Sequence, residues 1–248
     1  MEKPRWSGKF DKISKKGELM AKLVLVRHGK SEWNKQNRFT GWVDVDLAPE
    51  GIEEAKKAGQ RLKDAGFAFD VCFSSYLKRA IKTGIIILEE LDLLWLDHLK
   101  DWRFNERFYG ALTGLNKDEV KKELGEEKFL LYRRSYDVPP PPLSEDDPRH
   151  PRFDSKYKNL PIELIPNTES LKDNQIRSMA AFHERVAPLL VEGKDVLITA
   201  HGNTIRGMVK EFDNISDEDI PKFEIATGVP RVYEFDEALH IKNVYNLD

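Results

Sequence analysis

Residues 23–26 form an unbroken run of leucine and valine that stops at Arg27-His28-Gly29. The lack of polar alternation predicts a strand covered on both faces, as in a parallel sheet. Over residues 49–65, Ile52, Ala55, Gly59 and Leu62 recur at helical spacing. Proline at the start and Gly66 just past the end mark this segment as a helix. The pattern next predicts a short strand over 69–73, a helix over 76–91 with Ile81, Ile85 and Leu88 on one face, and a strand near 93–96. After a long irregular stretch, regularity resumes with a helix over about 170–191 and a strand over 195–200. There His201-Gly202-Asn203-Thr204 opens a further helix. Residues 231–235 and 239–245 read as one or two edge strands. This alternation is that of βαβ units and predicts an α/β fold: a three-layer α/β/α domain with a mostly parallel central sheet and one antiparallel edge strand.

Residues 101–168 break the pattern. A polar, aromatic stretch over 101–113 precedes a helix around 118–132, then Pro139-Pro140-Pro141-Pro142 and a long section with few apolar residues. A connection this long inside a compact domain reads as a lid or binding loop over a site. Residues 21–248 are expected to form one domain carrying this insertion. Residues 1–20 are basic, have no apolar core of a secretory signal, and are expected to be a disordered extension, with Met20 as an alternative start.

Composition narrows the classes. Forty Lys and Arg against 43 Asp and Glu give a net charge of -3 over 248 residues, which argues against a general nucleic-acid binder. A hydrophobic fraction of 40% is enough for a core, so disorder is not the expected state. With Cys72 as the one cysteine, an internal disulfide and a cysteine-built zinc site are both excluded, and the cytoplasm is the expected compartment. The apolar runs fall far short of the roughly 20 residues of a membrane span.

Two predicted strands therefore each end in His-Gly. In parallel sheets ligands bind at the carboxyl ends of strands, so His28 and His201 are expected at one site. The flanking blocks sharpen this: LVLVRHGKSEWN (23–34), RFTGWVDVDL (38–47), YLKRAIKT (76–83), WRFNERFYGALTGLNK (102–117), YRRSYDVPPPP (132–142), NTESLKD (167–173) and AHGNTIRG (200–207). In this order they closely resemble the cofactor-dependent phosphoglycerate mutases of the histidine phosphatase superfamily.

The resemblance implies interconversion of 3- and 2-phosphoglycerate through a phosphohistidine primed by 2,3-bisphosphoglycerate, with no metal. His28 is then the nucleophile, Arg27 and Arg79 clamp the phosphoryl group with His201 as a further catalytic donor, and Gly202 and Asn203 lie beside it. Ser31 and Asn34 add neutral donors. Glu106, the carboxylate within the WRFNERFYG block, is the acid/base. Lys117, Arg133 and Arg134 on the insertion, with Thr40, Gly41 and Tyr109, form the second half of the pocket, where a mutase must hold a second anionic group. The expected ligands are small phosphoglycerates, and the expected assembly is a homodimer or dimer of dimers.

Plainer readings stand beside these: a solvated Arg79, a salt bridge from Glu106 to Arg103 or Arg107, and an Arg133-Arg134 pair that caps a helix and meets Asp137. His98, His150, His183 and His240 form no ligand cluster in the sequence. Departures from the family pattern are Lys30, Phe108 and Arg231, none of which removes a catalytic group. The chain ends at Asp248 without a longer tail, which favours some phosphatase side activity, and Ser31 with Gly41 sides with the glycolytic mutases. A phosphomonoester phosphatase of the same superfamily and a catalytically idle phospho-ligand binder are the alternatives.

Overall fold

The computed structural model describes residues 20–248, so the extension expected over residues 1–20 lies, but for Met20, outside the described residues. Strands β1 (Ala21–Arg27), β2 (Val71–Ser74), β3 (His98–Lys100), β4 (Val196–Ala200), β5 (Pro230–Phe235) and β6 (Ile241–Asn246) form one sheet in the order β3-β2-β4-β1-β5-β6. Pairings among β1 to β4 are parallel, whereas β5 pairs antiparallel with both β1 and β6. The antiparallel part thus sits at one end of a mostly parallel sheet, in line with the tail pattern.

The residues of β1 explain why it lacks alternation. Leu23 and Leu25 join one core cluster with Met179, Phe182 and Ile205, while Val24 and Val26 join another with Ala58, Leu62 and Ile87. Both faces are covered by helices, which gives the three layers. One face carries α2 (Pro49–Asp64) and α3 (Lys78–Glu90); the other carries α6 (Leu171–Ala181), α7 (Ala187–Val191) and α8 (Gly202–Phe212). The remaining helices are α1 (Glu32–Lys35), α4 (Lys117–Leu124) and α5 (Glu126–Arg134).

Four local expectations change. Helix α3 buries Ala80, Thr83, Gly84, Ile87 and Leu88, and Ile85 is 42% exposed, so its inner face is rotated from the isoleucine stripe. Residues 93–96 form the turn that closes α3, with Leu93 N–H bonded to the Leu88 carbonyl and Asp92 at φ 61°; strand pairing starts only at His98. The helix over 118–132 is broken at Gly125, whose φ of 80° no helical residue adopts. The long helix before β4 widens into a π turn at Phe182–Val186, where Pro188 cannot donate to a carbonyl one turn back.

The insertion is irregular but packed. Trp42, Phe108, Leu143, Tyr157 and Ile165 form one small core, and Phe39, Leu112, Val120 and Phe129 form another. In both, the loop around 39–42 supplies the partner, so insertion and loop are held as one wall above the carboxyl ends of β1 and β4.

Candidate active site

Because β1 and β4 are neighbours with Arg27 opposite Ala200, the next residue of each strand emerges at the same level. These are His28 and His201, with ring centroids 5.0 Å apart and planes at 64°. His28 N–H donates to the Ala200 carbonyl at 3.0 Å, which fixes the turn. Beneath it the backbones of Gly29 and Gly51 touch: a Cβ on Gly29 would lie 2.0 Å from the Gly51 oxygen, so only glycine fits.

His28 Nδ1 lies 2.6 Å from the Gly29 carbonyl. A carbonyl can only accept, so Nδ1 carries the proton and Nε2 presents a lone pair. Arg79 Nε donates to that nitrogen at 3.3 Å. Burial, then Arg79 and Arg27, hold the imidazole well below the usual histidine pKa, so it is neutral and nucleophilic at pH 7. His201 is fully buried as the N-cap residue of α8, with Nε2 2.7 Å from Ser75 Oγ and Nδ1 without a partner. Burial first, and then Arg79, lower its pKa too.

Arg79 is 1% exposed, not solvated, and it donates to the carbonyls of Val43 and Gly41 at 2.8 Å each. Burial lowers it only to about 10, so it stays cationic. Arg27 donates to the Ile225 carbonyl at 2.6 Å, and its Nε is buried without a partner. Glu106 Oε1 accepts the backbone N–H of Arg107 at 2.8 Å and of Asn203 at 3.2 Å. It makes no salt bridge to Arg103, which binds Asp101 and Glu184, nor to the Arg107 guanidinium, which donates to the carbonyls of Tyr132 and Arg133. Arg177 pairs with Glu169 at 2.7 Å and donates to the carbonyls of Arg103, Asn105 and Glu106, which fixes the backbone carrying Glu106.

A cavity of about 150 Å³ joins these groups to the insertion. His28, Arg27, Arg79, Glu106, Gly202 and Asn203 line its inner end. Asn34, Thr40, Gly41, Tyr109, Lys117, Arg133 and Arg134 line the rest, as expected from the sequence. Thr40 Oγ1 is buried without a partner, and Tyr109 Oη accepts from Asn203 Nδ2 at 2.9 Å. Arg134 meets Glu224, not Asp137. Ser31 does not reach the lining: its hydroxyl caps α1 and donates to Asn34 Oδ1 at 2.9 Å.

Arg38, Phe39, Arg206 and Glu224 line the cavity unforeseen. Arg206 was within reach of sequence reasoning, since it stands three residues after Asn203 on α8, one turn along the same face, and donates to its Oδ1 at 2.8 Å. Glu224 lies outside every motif block and gives no such signal.

A histidine at a strand end that faces Arg27 and Arg79 in the cavity, with His201 buried behind it and off the lining, suits phosphoryl transfer. Residues 23–148 and 143–246 match the sequence profile of the histidine phosphatase superfamily, branch 1. The chain belongs to the histidine phosphatase superfamily. It is 91% identical over 229 residues, 92% of this chain and 100% of the relative, to the 2,3-bisphosphoglycerate-dependent phosphoglycerate mutase of Nautilia profundicola. Among solved structures it resembles a phosphoglycerate mutase from Bacillus anthracis, with TM-score 0.65 and 22% identity over 90% of this chain and 91% of that one. It also resembles a mycobacterial glucosyl-3-phosphoglycerate phosphatase, with TM-score 0.66 and 21% identity over 86% and 92%. These two likenesses speak for the fold alone. Among the described residues no helix is long and apolar enough to cross a membrane, and no three His, Cys, Asp or Glu side chains gather as metal ligands.

Proposed function

We propose that this chain interconverts 3-phosphoglycerate and 2-phosphoglycerate through a phosphohistidine on His28, primed by 2,3-bisphosphoglycerate, without a metal. The observation that carries the reading is the unprotonated Nε2 of His28, which accepts from Arg79 Nε at one end of a cavity also lined by Lys117, Arg133 and Arg134. The unpartnered Arg27 Nε and Thr40 Oγ1 suit an anionic ligand, since both are donors buried without acceptors. The 91% identity to a bisphosphoglycerate-dependent mutase supports the same substrate. A homodimer or dimer of dimers in the cytoplasm goes with this reading.

Bound 2,3-bisphosphoglycerate supplies the first phosphoryl group. His28 Nε2 takes it: an N–P bond forms as the P–O bond to the glycerate carbon chain breaks. Arg27, Arg79 and the α8 N-terminus hold the charge on the equatorial oxygens. Glu106 gives a proton to the departing oxygen and, in the return transfer, removes one from the attacking hydroxyl. With His28 phosphorylated, a bound 3-phosphoglycerate takes the phosphoryl group on its free 2-hydroxyl as the N–P bond breaks. Lys117, Arg133 and Arg134 keep the second anionic group while the doubly phosphorylated glycerate turns within the cavity and returns its 3-phosphoryl group to His28, leaving 2-phosphoglycerate. The packed insertion over the site limits attack by water.

The test is isomerisation coupled to enolase, with chelator present, with and without catalytic 2,3-bisphosphoglycerate, on wild type and His28→Ala. Turnover that needs the bisphosphate and His28 and survives the chelator supports the reading. Phosphate release without isomerisation moves the chain to the phosphatases, and silence in both assays makes it a ligand-binding protein.

A further inference from the structure

The outer half of the cavity holds a carboxylate that this chemistry does not use. Glu224 lies between the short 3-10 turn Ile220–Lys222 and β5. The Phe223 carbonyl accepts from Arg206 Nε at 2.9 Å, and the Ile225 carbonyl accepts from Arg27 Nη1 at 2.6 Å. The backbone on both sides is therefore pinned to cavity arginines, and the side chain between them reaches the cavity wall. Its Oε1 lies 2.6 Å from Arg134 Nη2 and its Oε2 lies 3.8 Å from Arg206 Nη2.

Seven cationic side chains face two carboxylates in this cavity. Glu106 is buried and tied by two backbone N–H groups. Glu224 is 66% exposed and held only by side chains. Among the described residues no other cation of the cavity has a carboxylate within ion-pair distance. Exposed ion pairs contribute little to stability, so this one is easily exchanged for a ligand group that brings several oxygens to both guanidiniums. Without it, the arginines would grip substrate and product equally tightly, which raises affinity and not turnover.

We infer that Glu224 is a displaceable counter-anion. It occupies Arg134 and Arg206 in the empty cavity, yields them to the outer anionic group of the phosphoglycerate, and takes them back as product leaves. It acts through these arginines and is a positioning residue, and the inference rests on the phosphoglycerate reading of the site.

The experiment compares wild type, Glu224→Gln and Glu224→Asp, with calorimetric Kd for 3-phosphoglycerate and for inorganic pyrophosphate, a two-anion probe that needs no turnover, alongside KM and kcat. Glu224→Gln is expected to tighten both Kd values and lower KM by about 2- to 5-fold, without a rise in kcat, and Glu224→Asp to stay close to wild type. Unchanged or weaker binding by Glu224→Gln overturns the inference, because Glu224 would then be a bystander or a brace for Arg134. A wild type that binds 3-phosphoglycerate without isomerising it defeats the functional reading, while the pyrophosphate comparison still decides the role of Glu224.

Discussion

Arg79 aims its Nε–H at Nε2 of His28 across 3.3 Å while both of its Nη groups are held by the carbonyls of Val43 and Gly41. The guanidinium is thus oriented by backbone before any ligand arrives, and a phosphoryl group arriving on Nε2 meets a fixed cation. Preorganisation of this kind lowers the barrier because no reorganisation accompanies the charge transfer. Arg79→Lys keeps a charge but cannot span the two carbonyls and the imidazole together. Phosphorylation of His28, followed as acid-labile label in a rapid-quench experiment, is expected to slow about 100-fold. A rate equal to wild type would show that charge alone is enough.

Glu106 accepts two backbone N–H bonds on one oxygen, and a glutamine oxygen accepts the same pair. Glu106→Gln therefore preserves the local geometry and removes only the carboxylate proposed to carry the proton. Steady-state turnover is expected to drop by about 100-fold or more, while His28 still becomes labelled by 2,3-bisphosphoglycerate. Undiminished turnover would assign proton transfer to another group.

Arg107 is a fully buried guanidinium without a carboxylate partner among the described residues, stacked 4.6 Å over the Tyr109 ring and bonded to the carbonyls of Tyr132 and Arg133. It therefore holds the end of α5, from which Arg133 and Arg134 enter the cavity. Arg107→Met leaves these carbonyls unmet and is expected to cost about 2 to 3 kcal/mol of stability. The same change should raise KM for 3-phosphoglycerate about 10-fold, a loss of about 1.4 kcal/mol in binding, through the misplaced arginines. Calorimetric unfolding and initial rates read the two effects separately, and an unaltered KM would detach Arg107 from the site.

These residues mark where sequence reasoning ends. His28 and His201 were legible because strand ends in a parallel sheet converge, and β1 and β4 proved to be adjacent in matched register. The inward face of α3 was not, because Ile81, Ile85 and Leu88 keep helical spacing although the helix packs through Ala80, Thr83, Gly84, Ile87 and Leu88 and leaves Ile85 exposed. Ser31 carries the right chemistry for a ligand donor, yet local capping of α1 takes its hydroxyl first. Arg107, Arg177 and Glu224 owe their roles to partners far along the chain, some of them backbone carbonyls, and carbonyls leave no trace in composition or motif.

The neutral histidines also set a limit on acid stability. Burial, followed by Arg79, holds His28 and His201 well below the ordinary value, and burial with Lys100 lowers His98 to about 4. In the unfolded chain each returns to about 6.5. Between the folded and unfolded values the unfolded chain binds the extra proton, so stability falls as pH falls below about 6.5 and is fully retained above it. At pH 5 all three rings weaken the fold relative to neutral pH, the two fully buried ones most. Denaturant unfolding at pH 7, 6 and 5 is expected to show this loss, and His201→Gln to flatten the slope by the share of one ring. Stability that is level from pH 7 to 5 would mean that the rings protonate inside the fold. In that case the acid limb of kcat/KM would sit near the ordinary histidine value, whereas a lowered His28 keeps Nε2 free to attack until the fold itself gives way.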